Sequence, residues 1–209
     1  MRPTLFLVSL VGAGLSLGVR SAEAEEPPRG EAAPAPGESE VVLADFDHPL
    51  TQANLGWTFG TWERDPADPT QSCHLQVVTQ PRLGASGYSV RLDYDVDSLN
   101  AAYNGLWVKV IPPVSLSGFQ ALRIAIKGDA AKGFTTRVKL ELKDEERVAS
   151  YVLEGVESEW VRRRMPLTAF HGIEQLQQVA EFVVVFDDIY ATTKVGTIYV
   201  DEVVLEREP

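Results

Sequence analysis

The sequence predicts an all-β protein in which two antiparallel sheets pack face to face as a sandwich. Three observations predict this class: about ten short segments have the composition of strands, turn residues separate them regularly, and helical periodicity is almost absent. The chain has 209 residues, of which 44% are hydrophobic and 23% are charged, an ordinary composition for one globular core. We therefore predict a single domain over residues 41–207, with at most one short helix.

The residues before this domain carry the pattern of an export signal. Met1-Arg2 precedes a mostly apolar run over Leu5–Leu17, and Ala22-Glu23-Ala24 offers a cleavage site of the A-x-A type. A basic start, a short apolar stretch and small residues at the cleavage position are the parts of a secretory signal peptide. We assign residues 1–24 to the signal and residues 25–40, rich in Pro, Gly, Ala and Glu, to a disordered linker. The expected location is the periplasm or the outside of the cell.

The first half of the domain is predicted to consist of strands. Val41–Asp47 is the first, and the aromatic-rich segment Gly56–Glu63 is the next. Apolar and polar residues then alternate with a period of two over 88–96, 106–110 and 121–127, which is typical of strands with one buried face. Pro112-Pro113 is expected to end the second of these, because proline donates no hydrogen bond to a neighbouring strand.

The second half continues in the same way. Residues 134–144 alternate most regularly, and 148–153 return after the turn at Glu145-Glu146 as the second arm of a hairpin. Another strand covers 160–165, and Ile173–Val179 is the one segment predicted to be helical. The segments 182–186 and 195–205 are dense in Val and Ile, which is typical of strands covered on both faces.

Charge and cysteine content exclude several classes of function. A net charge of −11 makes nucleic acid and anionic membrane surfaces poor partners, since both attract basic patches. The N-terminal apolar run is shorter than the roughly 20 residues of a spanning helix, so no membrane insertion is expected after cleavage. Cys73 is the only cysteine, which rules out an internal disulfide. Its pairing with His74 as a nucleophile is geometrically poor, because neighbours on a strand point to opposite faces, and we expect a small, partly buried thiol instead.

No catalytic site is predicted. The three histidines are scattered, and the chain contains neither H-E-x-x-H nor G-x-S-x-G. Asp187-Asp188 are adjacent on a strand, which is the wrong arrangement for a paired acid and base. Arg162-Arg163-Arg164 is interpreted as a solvated, salt-bridged face, in which Arg163 points to the apolar side and needs a carboxylate partner. We therefore predict that the protein is not an enzyme.

Four strings of the sequence carry a resemblance to a known fold. They are LSGFQALRIAIKGDA, VKLELKD, EWVRRRMPLTAF and the terminal KVGTIYVDEVVLE. Together they resemble the galactose-binding-like jelly rolls, and within these the family-eleven carbohydrate-binding modules and the complex I intermediate-associated protein domains. The resemblance covers roughly Val41 to Glu206 and implies a jelly-roll sandwich. It implies two alternative functions, sugar binding or protein assembly without a sugar role.

The resemblance also implies a metal site. Asp45 and Asp47 share one face of the first strand, and Asp201 lies in the last strand. In jelly rolls of this kind these two strands lie close together, and many members hold a structural calcium ion there. Carboxylate and carbonyl oxygens are the ligands that Ca²⁺ prefers. We expect a structural Ca²⁺ at these three residues; the alternative is that they are solvated acids at strand ends.

A binding face is predicted from strand alternation. Tyr103 and Trp107 point outward from the strand that buries Leu106 and Val108, and an adjacent strand would add Arg137 and Glu141. Tyr151, from the second arm of the hairpin, is expected to join them. Aromatic rings stack on the apolar faces of sugars, and charged groups bind their hydroxyls. The resemblance implies a glucan-like ligand on this concave face; the alternative is that a loop covers the rings.

Two functions therefore remain open from the sequence. The first is an exported, non-catalytic carbohydrate-binding module whose partner is a polysaccharide or oligosaccharide. The second is a protein-interaction or assembly domain that uses the same outer face against a protein partner. An exposed aromatic row in a groove would favour the first function, and a flat apolar patch or a groove filled by a loop would favour the second.

Overall fold

The computed structural model describes residues 39–47 and 58–207 of the chain. Within these ranges eleven strands form two antiparallel sheets, and the other regular elements are two 3-10 turns at Leu167–Ala169 and Ile173–Gln175. The predicted signal peptide over 1–24, and the predicted linker up to residue 38, lie outside the described residues. No helix in the described part of the chain is long and apolar enough to cross a membrane.

In chain order the strands are β1 (Glu40–Ala44), β2 (Phe59–Glu63), β3 (Ser72–Val78), β4 (Ser89–Asp95), β5 (Tyr103–Ser115), β6 (Phe119–Gly128), β7 (Arg137–Lys143), β8 (Val148–Glu154), β9 (Val161–Pro166), β10 (Gln178–Asp187) and β11 (Val195–Arg207). The first sheet has the order β3-β4-β11-β6-β9, with β1 paired to the second half of β11. The second sheet has the order β2-β5-β10-β7-β8. The all-β sandwich that the sequence predicts is confirmed.

The core lies between the two sheets and is built by alternation. On β6, Leu122, Ile124 and Ile126 are fully buried, as the period of two predicts. On β10, Val183 and Val185 are also buried although they face away from the core. The prediction that the segment 182–186 is covered on both faces is confirmed, and the reason is that long side chains from β5 and β7 flank these valines.

Two local predictions were wrong. Ile173–Val179 is not a helix, because a single 3-10 turn ends at Gln175 and β10 begins at Gln178. The prolines at 112 and 113 do not end their strand, because β5 continues to Ser115. Among the described residues the pairing of β5 with β2 ends at Val108, so these prolines lie beyond that ladder, where no donor to β2 is required.

The arginine run at 162–164 is a salt-bridged face, as predicted. On the outer side Arg162 and Arg164 pair with Glu202 and Glu206, at 2.5 and 2.7 Å. On the other side Arg163 has the carboxylate partner that its position requires, Glu157, at 2.7 Å. Partial burial works against the charged form of Glu206, but hydrogen bonds from Arg123 and Arg164 hold its pKa below the usual value.

The neighbours Cys73 and His74 also lie as predicted. Cys73 is buried and burial raises its thiol pKa, with smaller contributions from Glu63 and Asp93, whereas His74 is exposed on the opposite side of β3. A buried thiol with a raised pKa is a poor nucleophile, since the thiolate is the reactive form.

Candidate ligand-binding groove

The outer face of the second sheet contains an open groove of about 510 Å³. Its walls are formed by two tryptophans, one tyrosine, three lysines, two glutamates and one valine. These residues are Trp62, Tyr103, Trp107, Lys109, Lys139, Glu141, Lys143, Glu181 and Val185. They come from four of the five strands of this sheet, and β5 and β10 form the middle of the floor.

Strand register determines which side chains share this face. Across the pairing of β5 with β10, Trp107 lies opposite Val183, Lys109 opposite Glu181, and Tyr103 opposite Asp187. Because directly opposed residues of paired strands point to the same face, the aromatic residues of β5 face the groove together with the acids of β10. The register therefore agrees with the outward direction predicted for Tyr103 and Trp107.

Aromatic rings form one side of the groove. Tyr103 is 37% exposed, and its ring meets that of Trp62 edge-on with centroids 5.6 Å apart. The guanidinium of Arg64 lies 5.3 Å from the centroid of the same tyrosine. These contacts hold the ring in place at the groove, and its exposed part remains accessible to a ligand.

Charged side chains form the other side, as one continuous chain of ion pairs. Lys139 lies 3.6 Å from Asp187 and 3.2 Å from Glu141. Lys143 continues the chain, 2.9 Å from Glu141 and 3.7 Å from Glu181. Glu181 also pairs with Lys109, on the aromatic side. Three cations and three carboxylates therefore alternate along this chain of ion pairs, in which Asp187 is the one member that does not line the groove, and their charges cancel.

The two kinds of charge lie at different depths. The Lys109 side chain is 50% exposed and that of its partner Glu181 only 18% exposed. Lys139 and Lys143 are likewise more exposed than Glu141, which both contact. The carboxylates are thus the more buried partners of these pairs and the ammonium groups the more exposed ones.

The structure separates the five predicted binding residues into three groups. Tyr103, Trp107 and Glu141 line the groove. Arg137 lies on the same face of β7, but at its end, where it pairs with Glu154 at 3.0 Å and does not reach the groove. The outward position predicted for Tyr151 is wrong, because the residue faces the core.

The position of Tyr151 follows from the hairpin register. It pairs with Leu140, an inward-facing residue, and its ring stacks on Phe170 with centroids 5.3 Å apart. A shift of one residue in this pairing would reverse the direction of the side chain. Strand composition gives the period of β8 but not its phase relative to β7, which is why the sequence placed Tyr151 on the wrong face.

Other groove residues were missed at the sequence level. Trp62 reaches the groove because β2 pairs with β5, and nothing local in the sequence specifies this pairing over a long connection. Glu181 and Val185 lie in a strand so apolar that no alternation is visible. Lys143 does alternate with the buried Leu140 and Leu142, and this signal could have identified it.

A second cavity, of about 350 Å³, lies at the first sheet where β1 meets β11. Asp45, Asp47 and Asp201 all line it, so the structure brings the three predicted metal ligands to one place. Asp201 is 4% exposed and accepts a hydrogen bond from the backbone N–H of Glu202 at 2.8 Å. Burial, together with the nearby charge of Asp47, raises its pKa to about 7.

The backbone around this cavity is strained. Among the described residues, the two non-glycine residues with positive φ are Phe46, at 55°, and Glu202, at 47°. The first separates Asp45 from Asp47, and the second follows Asp201. Backbone strain of this kind concentrates at functional sites. In the described part of the chain, however, no three acidic, histidine or cysteine side chains are grouped closely enough to hold a metal ion.

Comparison with known proteins shows where else this fold occurs. No protein-family model and no curated protein sequence matches the chain. Among solved structures, the family 11 carbohydrate-binding module of the cellulosomal cellulase Lic26A-Cel5E of Clostridium thermocellum matches with a TM-score of 0.57 and 16% identity. This match covers 85% of the present chain and 97% of the other.

Two further solved structures match over similar lengths. The Clostridium thermocellum family 11 module in complex with a β-1,3-1,4-mixed-linked tetrasaccharide has a TM-score of 0.57 at 17% identity, over 80% of this chain and 95% of that chain. The module CBM27-1 of Caldicellulosiruptor saccharolyticus, in complex with mannohexaose, has a TM-score of 0.53 at 14% identity, over 81% and 97%. The chain therefore shares the fold of these modules, which agrees with the jelly-roll sandwich that the resemblance implies.

Proposed function

We propose that this protein is a non-catalytic glycan-binding module whose ligand lies along the groove of the second sheet. One observation carries the proposal: aromatic rings line one side of an open groove and a fixed row of charged hydrogen-bonding groups lines the other. Sugars have apolar C–H faces and polar hydroxyl edges, and a groove of this composition complements both.

The rings and the charged groups have different roles in this proposal. Tyr103 and Trp107 provide the surfaces on which sugar rings stack, and Trp62 supports them. Lys139 and Lys143 donate hydrogen bonds to hydroxyl oxygens, and Glu141 accepts from hydroxyl protons. Because the ion pairs fix these side chains before a ligand arrives, little conformational entropy is lost on binding.

The chemistry of the groove supports a neutral, glucan-like chain as the ligand. The charges of its three lysines and of the three carboxylates that pair with them cancel, so this chain of ion pairs offers no net attraction to an acidic polymer. Each carboxylate is engaged by at least one lysine, which suits an acceptor of hydrogen bonds better than a catalytic acid or base. The oligosaccharide complexes of proteins with the same fold support the same class of ligand.

The shape of the groove favours a glycan over a protein partner. A protein-docking face would be a flat apolar patch, and the assembly hypothesis also allowed a groove filled by a loop. The described residues leave this groove open, and charged side chains form half of its walls. We therefore prefer the glycan-binding hypothesis.

Two subsidiary proposals concern export and metal. The pattern of residues 1–24 supports export to the periplasm or beyond, and N-terminal sequencing of the mature protein should begin at Glu25. We also propose that Asp45, Asp47 and Asp201 contribute to a structural Ca²⁺ site. A cation there would relieve the cost of burying Asp201 beside Asp47, and carboxylate oxygens are the donors that Ca²⁺ prefers.

Affinity electrophoresis in gels that contain mixed-linkage β-glucan tests the main proposal. The wild-type domain should be retarded, and Trp107→Ala should migrate as in a glucan-free gel while its melting temperature stays nearly unchanged. His74→Ala is the control, since this exposed residue lies on the other sheet and should leave retardation intact. The proposal is wrong if the wild type shows no retardation with neutral glucans or mannans, or if Trp107→Ala binds as tightly as the wild type.

A further inference from the structure

Gly60, on β2, lies beside the central ring of the groove. Across the pairing of β2 with β5 it stands opposite Trp107, and both residues face the groove side of the sheet. Its φ lies outside the left-handed region, so the backbone conformation there does not require glycine. A strand interior is an unfavourable place for glycine, which loses more conformational entropy on folding than other residues. The position therefore has another physical reason to lack a side chain.

The reason is the indole of Trp107. A Cβ atom at position 60 would lie 2.9 Å from Cζ2, 3.1 Å from Cε2 and 3.3 Å from Nε1 of this ring. All three atoms belong to one edge of the indole, so this edge rests directly above the backbone of β2. The ring thus leans across from β5 onto the neighbouring strand and occupies the space that a side chain at position 60 would fill.

Gly105 provides a contrast on the same sheet. A Cβ there would lie 1.9 Å from the backbone carbonyl oxygen of Val184, so glycine is required for the close approach of two strands. At Gly60 the obstructing atoms belong to the far end of a side chain that can rotate. A substitution at Gly105 should disrupt the sheet, whereas one at Gly60 should only displace a ring.

We propose that Gly60 is a positioning residue for glycan binding: its missing side chain sets the orientation in which the Trp107 indole meets a sugar ring. This inference rests on the proposed function of the groove. Stacking on a sugar requires that one face of the ring be open and aligned with the groove. Because Gly60 has no side chain, the edge of the indole that carries Nε1, Cε2 and Cζ2 can lie against β2, and this contact sets the alignment of the ring.

The test combines Gly60→Ala with two measurements, a dissociation constant for a mixed-linkage glucan oligosaccharide and the indole N–H cross-peak of Trp107 in a ¹H–¹⁵N spectrum. The substitution should weaken binding about tenfold, in line with the loss of one stacking contact, and should move the Trp107 cross-peak. The melting temperature should stay the same or rise slightly, because alanine is favoured over glycine in a strand. Ser150→Ala, an outward position on β8, is the control and should change neither affinity nor cross-peak.

A double-mutant cycle with Trp107→Phe completes the test. Phenylalanine lacks the Nε1 and Cζ2 atoms that overhang Gly60, so Gly60→Ala should cost less affinity in that background than in the wild type. An unmoved Trp107 cross-peak, or unchanged affinity in Gly60→Ala, would overturn the inference. If the cross-peak moves but the wild type binds no glycan, Gly60 does position the ring and the proposed function itself is wrong.

Discussion

The outer faces of the two sheets are built from similar charges in different arrangements. On the first sheet, Arg123 lies at the centre of a cluster and pairs with Glu40, Glu202 and Glu206, at 3.0, 2.9 and 2.5 Å. On the second sheet, lysines and carboxylates form an equally complete chain of ion pairs along the groove. Ion pairing alone therefore does not distinguish a structural face from a binding face.

Aromatic residues and depth make the difference. The arginine cluster contains no aromatic ring among its ion-paired members, and its central residue is the least exposed of the cations, at 15%. In the groove the cations are the more exposed partners and lie beside the exposed ring of Tyr103 and the partly buried ring of Trp107. On the first sheet the acids surround a cation that is mostly buried, whereas in the groove the acids pair with cations that are more exposed than they are.

The largest expected effect lies on the inner side of the second sheet. Tyr151→Ala should lower the free energy of unfolding by about 3 kcal/mol, because it removes a ring that stacks on Phe170 at the edge of the core. Urea denaturation of the variant measures this change. Trp107→Ala, on the outer side, should lose less than about 1 kcal/mol by the same measurement. Equal losses would show that Trp107 is a core residue and that the groove is misassigned.

The sequence predicts the faces of strands well where one side is apolar. Leu122, Ile124 and Ile126 are buried as the alternation requires, and Tyr103 and Trp107 face outward for the same reason. The direction of Tyr151 and the contribution of Trp62 depend on which strands pair and in which register. Such pairings join residues that are distant in the chain, and local pattern does not encode them.

The candidate sites were likewise predictable only in part. Clustering of Asp45, Asp47 and Asp201 was predicted from the family resemblance, and the pairing of β1 with β11 brings them to one cavity. The strained backbone at Phe46 and Glu202 was not predictable, because neither residue type favours positive φ. The role of Gly60 also depends on the position of a ring from another strand.

Calcium should have the next largest effect, confined to the cavity where β1 meets β11. At a hundredfold excess over Kd, a ligand that binds only the native state stabilises it by about 2.7 kcal/mol. Calcium should therefore raise the melting temperature and EDTA should lower it. Asp201→Asn should abolish the response, whereas Glu141→Gln, in the groove, should preserve it. No shift of the wild-type melting temperature with either reagent would contradict the calcium proposal.

Loss of the central arginine of the first sheet should have a smaller effect. Arg123→Ala leaves three carboxylates without their common partner and should lower the free energy of unfolding by about 1–2 kcal/mol. This value lies between that of an exposed ion pair and that of a fully buried one. The pKa of Glu206 is lowered from 4.5, so its contribution is present above about pH 4.5 and is lost as the pH falls below this. Urea titrations between about pH 3 and 7 should show this loss in the wild type and a weaker one in Arg123→Ala. Identical pH profiles would contradict the assignment.

The smallest expected effects concern the charges of the groove. Because the charges of the three lysines and of the three carboxylates that pair with them cancel, glucan affinity in the wild type should change less than about twofold between low and high salt.

Lys143→Gln removes the cation that joins Glu141 to Glu181 and should weaken glucan binding only a few-fold, about the value of one hydrogen bond. It also leaves this chain of ion pairs net negative, so any residual binding of a carboxymethylated glucan should fall further than that of the neutral polymer. Calorimetric titration of both polymers at two salt concentrations measures these differences. If the wild type instead prefers the carboxymethylated polymer, and salt weakens that preference, the exposed lysines dominate over the carboxylates beneath them and the ligand is an acidic glycan.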